Sequence, residues 1–432
     1  MRRICFMVAI CLTILFQSSA IGETELFFEG SDQNSVAYQK FTKSHPECIV
    51  NTETNIYRST NETSFDIKKL MKKGYCANLS ESPVIQKELE QMYEPIQQQL
   101  TYEGKLYGAP FYCYIGYYAY RPDAWEAAGL TQEDVPTSFT ELLDFLEAWV
   151  ERIIDEPEDD ISVCNAFASE AYGEDSYISY LVDHLIQNYI MDYNYANKPL
   201  RFDTPLFRNL LERCEKIGAD LYLYEPRVKG DFALFEDLYG MRELAHLIPL
   251  RMTNEQPVLI KASLYTGFLN ARGQHQELAT EYLEAVVTCV APEMGAYLYR
   301  DAEPVENPDF RRAMDKLQAE IDDAEKKLAT STEMEPVERH TLQDQVDVMK
   351  REWEQMSMSE ERYLVSENDL RLYRNYGDNL YFQAPSIFDP STEDGQNMKQ
   401  LRDRFCTGNL SADQFISRLD ELAWTLEQEG NQ

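Results

Sequence analysis

Basic residues are in short supply. The 432-residue chain carries 40 Lys and Arg against 75 Asp and Glu, a formal net charge of −35. A surface of that sign repels phosphate backbones and anionic lipid headgroups, which disfavours nucleic-acid binding. Histidine is scarcer still. His45, His184, His246, His275 and His340 are the whole set, and none stands in an HExxH motif or beside a second His at metal-ligand spacing. Each reads as an ordinary surface or core residue, so no metal and no cofactor is expected. No GxSxG elbow, P-loop or GxGxxG is present. The acidic cluster Asp155–Asp160 contains a Pro and lacks the alternating oxygens and the Gly of an EF-hand loop, so it reads as a solvated turn. A glycosidase needs only two placed carboxylates, and the sequence singles out no such pair.

Long hydrophobic runs are also missing, apart from the first twenty residues. There Arg2-Arg3 precedes an uncharged, mostly apolar stretch from Ile4 to Phe16, and Ser18-Ser-Ala20 supplies small residues. This is the pattern of a secretory signal peptide, too short to span a bilayer comfortably, with cleavage after Ala20 or Gly22. Export to the cell surface or the extracellular space is the expectation. Cys11 lies inside the run, but Ile10 before it is not the small residue that a lipid-attachment site needs. Seven cysteines remain beyond the signal: Cys48, Cys76, Cys113, Cys164, Cys214, Cys289 and Cys406. The number is odd, the spacings are wide and no CxxC occurs. A disulfide scaffold or zinc site is not expected, and buried free thiols are.

What the chain does have is length and aromatics. At 432 residues it exceeds one ordinary core and calls for two or three domains, or lobes sharing a hinge. Hydrophobic residues make up 44% and aromatics 12%, with 28 Tyr, enough for real cores. Tyr combines a flat apolar face with a polar tip, which suits half-buried positions and sugar-stacking clefts alike.

Strands are expected at Glu25–Phe28, Cys48–Val50 and Asn55–Arg58, with a helix from Ser35 to Lys43 between the first two. Helices follow at Ser64–Lys73, closed by Gly74, and at Ile85–Leu100, which Pro95 must interrupt or restart. Glu103-Gly104 is a two-residue turn between Thr101-Tyr102 and Lys105–Tyr107, a hairpin signal. Gly108 and Pro110 break regular structure, and Phe111–Tyr120 is a long aromatic strand. Pro122–Ala128 is a helix ending at Gly129. Ser138-Phe-Thr-Glu141 is a capping box that opens a helix to about Arg152. Further helices are expected at Ser176–Tyr193, Pro205–Ile217, Glu277–Thr288 (with Leu278, Tyr282, Leu283 and Val286 inward) and Ala412–Glu427, with a strand at Val258–Phe268. Phe310, Met314, Leu317, Ile321, Ala324 and Leu328 step by four and three, as do Leu342, Val346, Met349, Trp353 and Met356. Two heptad helices joined around Thr330–Pro336 are therefore expected to pack as an antiparallel coiled-coil hairpin.

The run from Tyr102 to Leu130, which contains Lys105-Leu-Tyr-Gly-Ala-Pro110, resembles family 1 extracellular solute-binding proteins, the sugar-binding subunits of ABC importers. Members share a "dGKlYGvP" hairpin, an aromatic strand, a "yyn-x-x-l-f-e-x-aGl" stretch, then a Pro and a capped helix. Here Val135–Leu142 fills the last slot. Lys72–Ser80 is similar to the family's "kGyl.dLs" turn, Ala262–Val287 to its strand followed by a helix, and Ser411–Glu429 to its closing helix. There are two departures. Pro46–Arg58 leaves no room for a helix that members carry before the "kGyl" turn, and the heptad pair is not part of the minimal pattern.

The resemblance implies an α/β, two-lobed periplasmic-binding-protein-like (type II) fold with a hinge, to which the heptad pair is an insertion. Lobe 1 is expected from 23–112 and 255–305, lobe 2 from 113–254 and 361–432, and the inserted hairpin from 306–360. It also implies a non-enzymatic role: capture of a small solute, an oligosaccharide first, and its delivery to an ABC permease in the membrane by a monomer. Expected ligand contacts are Glu29 and Asp32 at the first strand exit, Tyr57, Tyr112 and Tyr114 near the hinge, Tyr172 in lobe 2, and Asp231. Two alternatives stay open: a secreted interaction or sensory module on a degenerate scaffold of this kind, and an exported hydrolase.

Overall fold

The computed structural model describes residues 24–27, 35–51, 67–155, 164–167, 176–196, 198–224, 232–239, 246–248, 251–253, 255–330, 335–382 and 393–430. The expected signal peptide, the Asn55–Arg58 strand and most of the Asp155–Asp160 turn lie outside them.

The first unit is strand–helix–strand: Thr24–Phe27 (β1), Val36–Ser44 (α1) and Cys48–Asn51 (β2). The two strands pair in parallel from Thr24↔Cys48 to Phe27↔Asn51. Ser35 caps the helix, accepting the Tyr38 N–H at 3.2 Å. Leu26, Phe41 and Val50 are buried with Tyr282 and Ala285, so a helix more than two hundred residues later closes this small core.

Ile67–Lys72 (α2) ends at Gly74, whose φ of +70° is the left-handed conformation that glycine adopts at no steric cost. The expected run 85–100 is two helices, Pro83–Glu90 (α3) and Glu94–Leu100 (α4). Pro95 lacks an N–H and sits in the first turn of the second, where none is needed. Thr101–Tyr102 (β3) and Lys105–Leu106 (β4) pair around Glu103-Gly104, both at positive φ (48° and 73°). That is the primed two-residue turn expected of a hairpin.

Ala109–Tyr120 (β5) starts earlier than expected and includes Pro110. A register shift between Pro110 and Tyr112 absorbs the missing donor, so Pro110 distorts the strand without ending it. Pro122–Ala127 (α5) leads to Phe139–Asp155 (α6). Half of the expected capping box forms. Ser138 accepts the Glu141 N–H at 3.2 Å, but the Glu141 carboxylate takes the Thr137 N–H at 2.8 Å, one residue further back.

Next come Cys164–Phe167 (β6), Ser176–Tyr195 (α7), Pro205–Tyr224 (α8), Phe232–Tyr239 (β7), His246–Ile248 (β8) and Ile260–Gly267 (β9). Gln276–Thr288 (α9) buries Tyr282, Leu283, Ala285 and Val287, and its expected inward residues Leu278 and Val286 pack, partly buried, against the small core of the first unit. The chain continues through Pro292–Gly295 (α10), Val305–Glu306 (β10), Pro308–Thr330 (α11), Pro336–Met358 (α12), Tyr363–Val365 (β11), Glu367–Tyr376 (α13), Leu380–Phe382 (β12), Glu393–Cys406 (α14) and Ala412–Gly430 (α15). The last helix opens on a reciprocal box, Ser411 accepting the Gln414 N–H at 3.3 Å and the Gln414 side chain accepting the Ser411 N–H at 3.1 Å.

Six strands make the main sheet, in the order β12–β9–β5–β7–β6 with β8 also against β5. The long strand β5 serves two partners in turn. From Ala109 to Ile115 it pairs antiparallel with β9, and from Gly116 to Tyr120 with β7. Two hydrophobic cores meet along it. One gathers Ile85, Ile96, Leu100, Cys113, Ile115, Leu264, Leu283 and Leu298. The other gathers Tyr118, Phe139, Leu143, Leu185, Tyr189, Phe207, Leu211, Phe235 and Phe415. A strand feeding both is the expected crossing. Cys113, Ile115 and Ala119 are buried with the first core and Tyr118 and Tyr120 with the second, while the strand partner changes from β9 to β7 at Gly116. Tyr373 and Leu380, expected with lobe 2, are also buried in the first core, because β12 adds to β9 in parallel.

The helices α11 and α12 run antiparallel and meet at Ile321, Ala324 and Val346, flanked by Leu317, Leu328, Leu342, Met349 and Trp353. Lys350 reaches Glu325 at 2.6 Å across the pair. At its root β10 pairs with β11, and the Asn307 N–H donates to the Arg362 carbonyl at 2.7 Å. Cys48, Cys76, Cys113 and Cys214 are buried free thiols, while Cys289 is a half-buried one. No helix among the described residues is long and apolar enough to cross a membrane.

Candidate functional site

Alternation along β5 and β9 decides which side chains leave the first core. Successive strand residues point to opposite faces. Cys113 and Ile115 on β5, and Ile260, Ala262 and Leu264 on β9, are buried in that core. The opposite face therefore carries Tyr112 and Tyr114 from β5, and Lys261, Ser263 and Tyr265 from β9. Register makes them neighbours, with Tyr112 opposite Tyr265 and Tyr114 opposite Ser263. β12 extends the face, since Tyr381 is registered with Lys261.

Three tyrosine rings cluster there. Tyr112 and Tyr265 have centroids 5.5 Å apart, Tyr112 and Tyr114 5.9 Å, and Tyr114 and Tyr265 6.0 Å, all with planes tilted by 36° to 40°. Phe111 adds a fourth ring at 6.3 Å from Tyr265. All four are half-buried, which leaves ring surface for a further partner. Burial raises the Tyr112 hydroxyl above the ordinary phenol range, and the neighbouring Cys113 adds to this. Burial raises Tyr381 in the same way, opposed by its hydrogen bond to Asn194. These hydroxyls are neutral at physiological pH and can both donate and accept hydrogen bonds.

The tyrosine face looks toward α7 of the second core. The Lys261 ammonium donates to the Gln187 side-chain oxygen at 3.2 Å, a contact between residues 74 apart in sequence. Behind the face, at the point where β5 changes partner, the Ile115 N–H donates to the hydroxyl of buried Tyr373 at 3.2 Å. That ring stacks on Tyr297 at 4.6 Å, so the crossing point is held from the first core.

Of the residues singled out in the sequence, Tyr112 and Tyr114 are thus brought together on one face at the crossing. Glu29, Asp32, Tyr57, Tyr172 and Asp231 lie outside the described residues. Tyr265, Ser263 and Lys261 were missed, although Ile260–Tyr265 alternates apolar with polar or aromatic residues and so announces one outward face. Tyr381 had no such signal, because it depends on β12 docking beside β9. A separate cavity of roughly 240 Å³ lies near the root of α11 and α12, lined by Glu88, Val287, Tyr299, Glu303 and Val305 among others, and contains none of these residues. Among the described residues no group of three or more His, Cys, Asp or Glu is placed to hold a metal ion.

The arrangement is a strand shared by two cores, with an aromatic, hydroxyl-bearing face beside it. Residues 58–203, about a third of the chain, match the family described as bacterial extracellular solute-binding protein. No curated protein matches the chain. Among solved structures, an ABC substrate-binding protein from Listeria monocytogenes in complex with cycloalternan is similar at 10% identity and a TM-score of 0.51, over 94% of this chain and 99% of that one. The binding protein msme of Bacillus subtilis, in an open conformation, is similar at 12% identity and a TM-score of 0.52, over 96% of this chain and all of that one. The resemblance read from Tyr102 to Leu130 is confirmed: over residues 58–203 the chain matches bacterial extracellular solute-binding proteins, and its fold is one that ABC substrate-binding proteins adopt.

Proposed function

We propose that this protein captures a small solute, a carbohydrate, between two lobes and delivers it to an ABC-type membrane permease without transforming it. The observation that carries the reading is the Tyr112–Tyr114–Tyr265 cluster on the strand shared by both cores. Half-buried tyrosines offer flat apolar faces for the C–H faces of sugar rings and hydroxyls for their polar edges. An aromatic, hydroxyl-bearing site suits a neutral oligosaccharide, and a chain with a net charge of −35 disfavours an anionic one. The Listeria relative was solved with an oligosaccharide, which favours the same class.

In this reading Tyr112 and Tyr114 contact the ligand, joined by Tyr265, with Glu29, Asp32, Tyr57, Tyr172 and Asp231 supplying further contacts. Lobe 1 takes in α13 and β12, because Tyr373 and Leu380 belong to its core. The antiparallel pair α11 and α12 is a coiled-coil insertion that leaves the binding lobes intact. In support, its two ends lie side by side at Asn307 and Arg362. The N-terminal twenty residues direct export, and the mature chain works as a monomer outside the membrane.

The test is isothermal titration of the mature protein with a panel of neutral oligosaccharides, uronate-bearing oligosaccharides, peptides and polyamines. Saturable binding of a neutral oligosaccharide, lost in Tyr112→Ala/Tyr114→Ala, supports the reading. Binding of only a charged solute, or of none, overturns it.

A further inference from the structure

We propose that the cavity near the root of α11 and α12 is a second binding site, and that it takes a small organic cation: an ammonium head on a short apolar stem, as in an alkylamine. The proposal depends neither on the solute that the tyrosine face takes nor on any movement of the lobes.

The cavity measures about 240 Å³. Pockets for drug-sized ligands run from roughly 300 to 1,000 Å³, so its occupant is smaller than those. Four parts of the chain build it. Glu88 comes from α3, Val287 and Thr288 from the end of α9, and Gly295 and Tyr299 from α10 and the turn after it. Glu303 and Val305 come from the segment that enters the helical pair. An occupant therefore touches the body of the protein and the root of the pair at once. Gly295 adds to the space by what it lacks. A Cβ there would lie 3.4 Å from Val290 and 3.5 Å from the Tyr299 ring, ordinary contact distances, so a methyl fits where the cavity now is.

The polar groups of the lining share one sign. Among the described residues that line it there are two carboxylates, Glu88 and Glu303, and no Lys, Arg or His. Arg374 reaches one lining residue, donating to the Ala302 carbonyl at 2.8 Å, but its guanidinium is also paired with Glu367. Glu303 has no ion pair or hydrogen bond among the described residues. One oxygen of Glu88 accepts the Tyr299 hydroxyl at 2.9 Å, which leaves the other to a ligand. Burial raises the Tyr299 hydroxyl well above the ordinary phenol range, and its bond to Glu88 adds to this, so the proton stays on Tyr299. The end of α9 contributes in the same sense. No N–H among the described residues is bonded to the carbonyls of Val287 or Thr288, and the residue four beyond Thr288 is Pro292, which has none to give. Free carbonyls at a helix C-terminus carry the negative end of its dipole. The other walls are apolar, with Val287, Val290, Pro292, Ala296 and Val305. Carboxylates and carbonyls suit an ammonium head, and the aliphatic walls suit its stem. A bare metal ion is less well served, because no group of three or more His, Cys, Asp or Glu among the described residues is placed to hold one.

The experiment is a nuclear magnetic resonance titration of the protein labelled at its valine methyls. The probes are butylammonium chloride, butanol as a neutral stem of the same length, and magnesium chloride as an inorganic cation. Butylammonium alone is expected to move the Val287, Val290 and Val305 methyls saturably. Glu88→Gln/Glu303→Gln keeps the shape and the acceptor for Tyr299 but removes both charges, and is expected to weaken binding about tenfold or more. Gly295→Ala takes the space of about one methylene and is expected to weaken it about fourfold. Melting temperatures close to wild type show that the variants fold. Equal shifts with butanol make the cavity a merely apolar hollow and overturn the proposal, and equal shifts with magnesium make it an inorganic cation site and do the same. So does the absence of movement at the three methyls, or undiminished binding in the double Gln variant. None of these outcomes bears on the sugar titration, which reads a different face of the protein.

Discussion

Replacing Tyr373 by Phe tests how the crossing strand is anchored. At Ile115 the strand β5 leaves β9 and passes toward β7, and its N–H donates to the Tyr373 hydroxyl at 3.2 Å. Ile115 is 1% exposed and Tyr373 likewise, so water does not replace the lost acceptor. Phe keeps the ring and its stack on Tyr297, at 4.6 Å and 29°, and removes only the oxygen. An unmet buried N–H costs about 1–3 kcal/mol. Burial holds the Tyr373 hydroxyl well above its ordinary pKa, so the bond is present throughout the neutral range and the cost does not vary with pH there. With two cores the chain need not unfold in one step, so amide hydrogen exchange is the sharper assay. The Ile115 amide is expected to exchange about 5- to 150-fold faster in Tyr373→Phe, with amides in the second core unaffected. Unchanged protection at Ile115 refutes the claim that this hydroxyl secures the crossing.

Other outcomes follow from packing and titration. Gly377→Ala places a Cβ 2.1 Å from the Tyr93 ring while φ is an ordinary −60°, so its cost is purely steric, about 1–3 kcal/mol. A melting temperature equal to wild type contradicts that packing. Burial raises the Cys76 thiol from 9.0 to about 11. A folded-state pKa above the unfolded value gives stability that is complete below pH 9 and is lost as pH rises toward 11. Denaturant midpoints are therefore expected to fall across that window, and less so in Cys76→Ala. Equal slopes in the two proteins rule the thiol out as the cause. Excising residues 308–361 and bridging Asn307 to Arg362 with a short Gly-Ser linker is expected to leave solute affinity within about twofold, since the ends already share a hydrogen bond of 2.7 Å. A collapse of affinity shows instead that the helical pair takes part in binding.

Local signals in the sequence carried well where local chemistry decides the outcome. The Glu103-Gly104 turn, the stop at Gly74 and the restart at Pro95 need only a few neighbouring residues, and each lies as expected. Leu317, Ile321, Ala324 and Leu328 of α11 meet Leu342, Val346, Met349 and Trp353 of α12. Tertiary pairing escaped. Nothing around Leu380-Tyr-Phe382 says that this short segment adds in parallel to a strand 120 residues earlier, and that one event carries Tyr373 and Leu380 to the first core and Tyr381 to the opposite face of the sheet. Pro110 was taken for a break because a proline removes a donor, but a register shift beside it lets the strand continue. The tyrosine face was legible where it rides on the aromatic strand, at Tyr112 and Tyr114. It was not legible at Tyr265, Lys261 and Tyr381, because their shared face exists only once three strands are side by side.

The central claim is that the tyrosine face beside the crossing strand holds a neutral sugar. Its most direct test is calorimetric titration of one neutral oligosaccharide into wild type and Tyr265→Ala. The account predicts saturable one-to-one binding in wild type and about a tenfold loss of affinity in the variant, the scale of one aromatic stacking contact, with the melting temperature close to wild type. Equal affinity in the two proteins, or binding by neither across the whole panel, contradicts it.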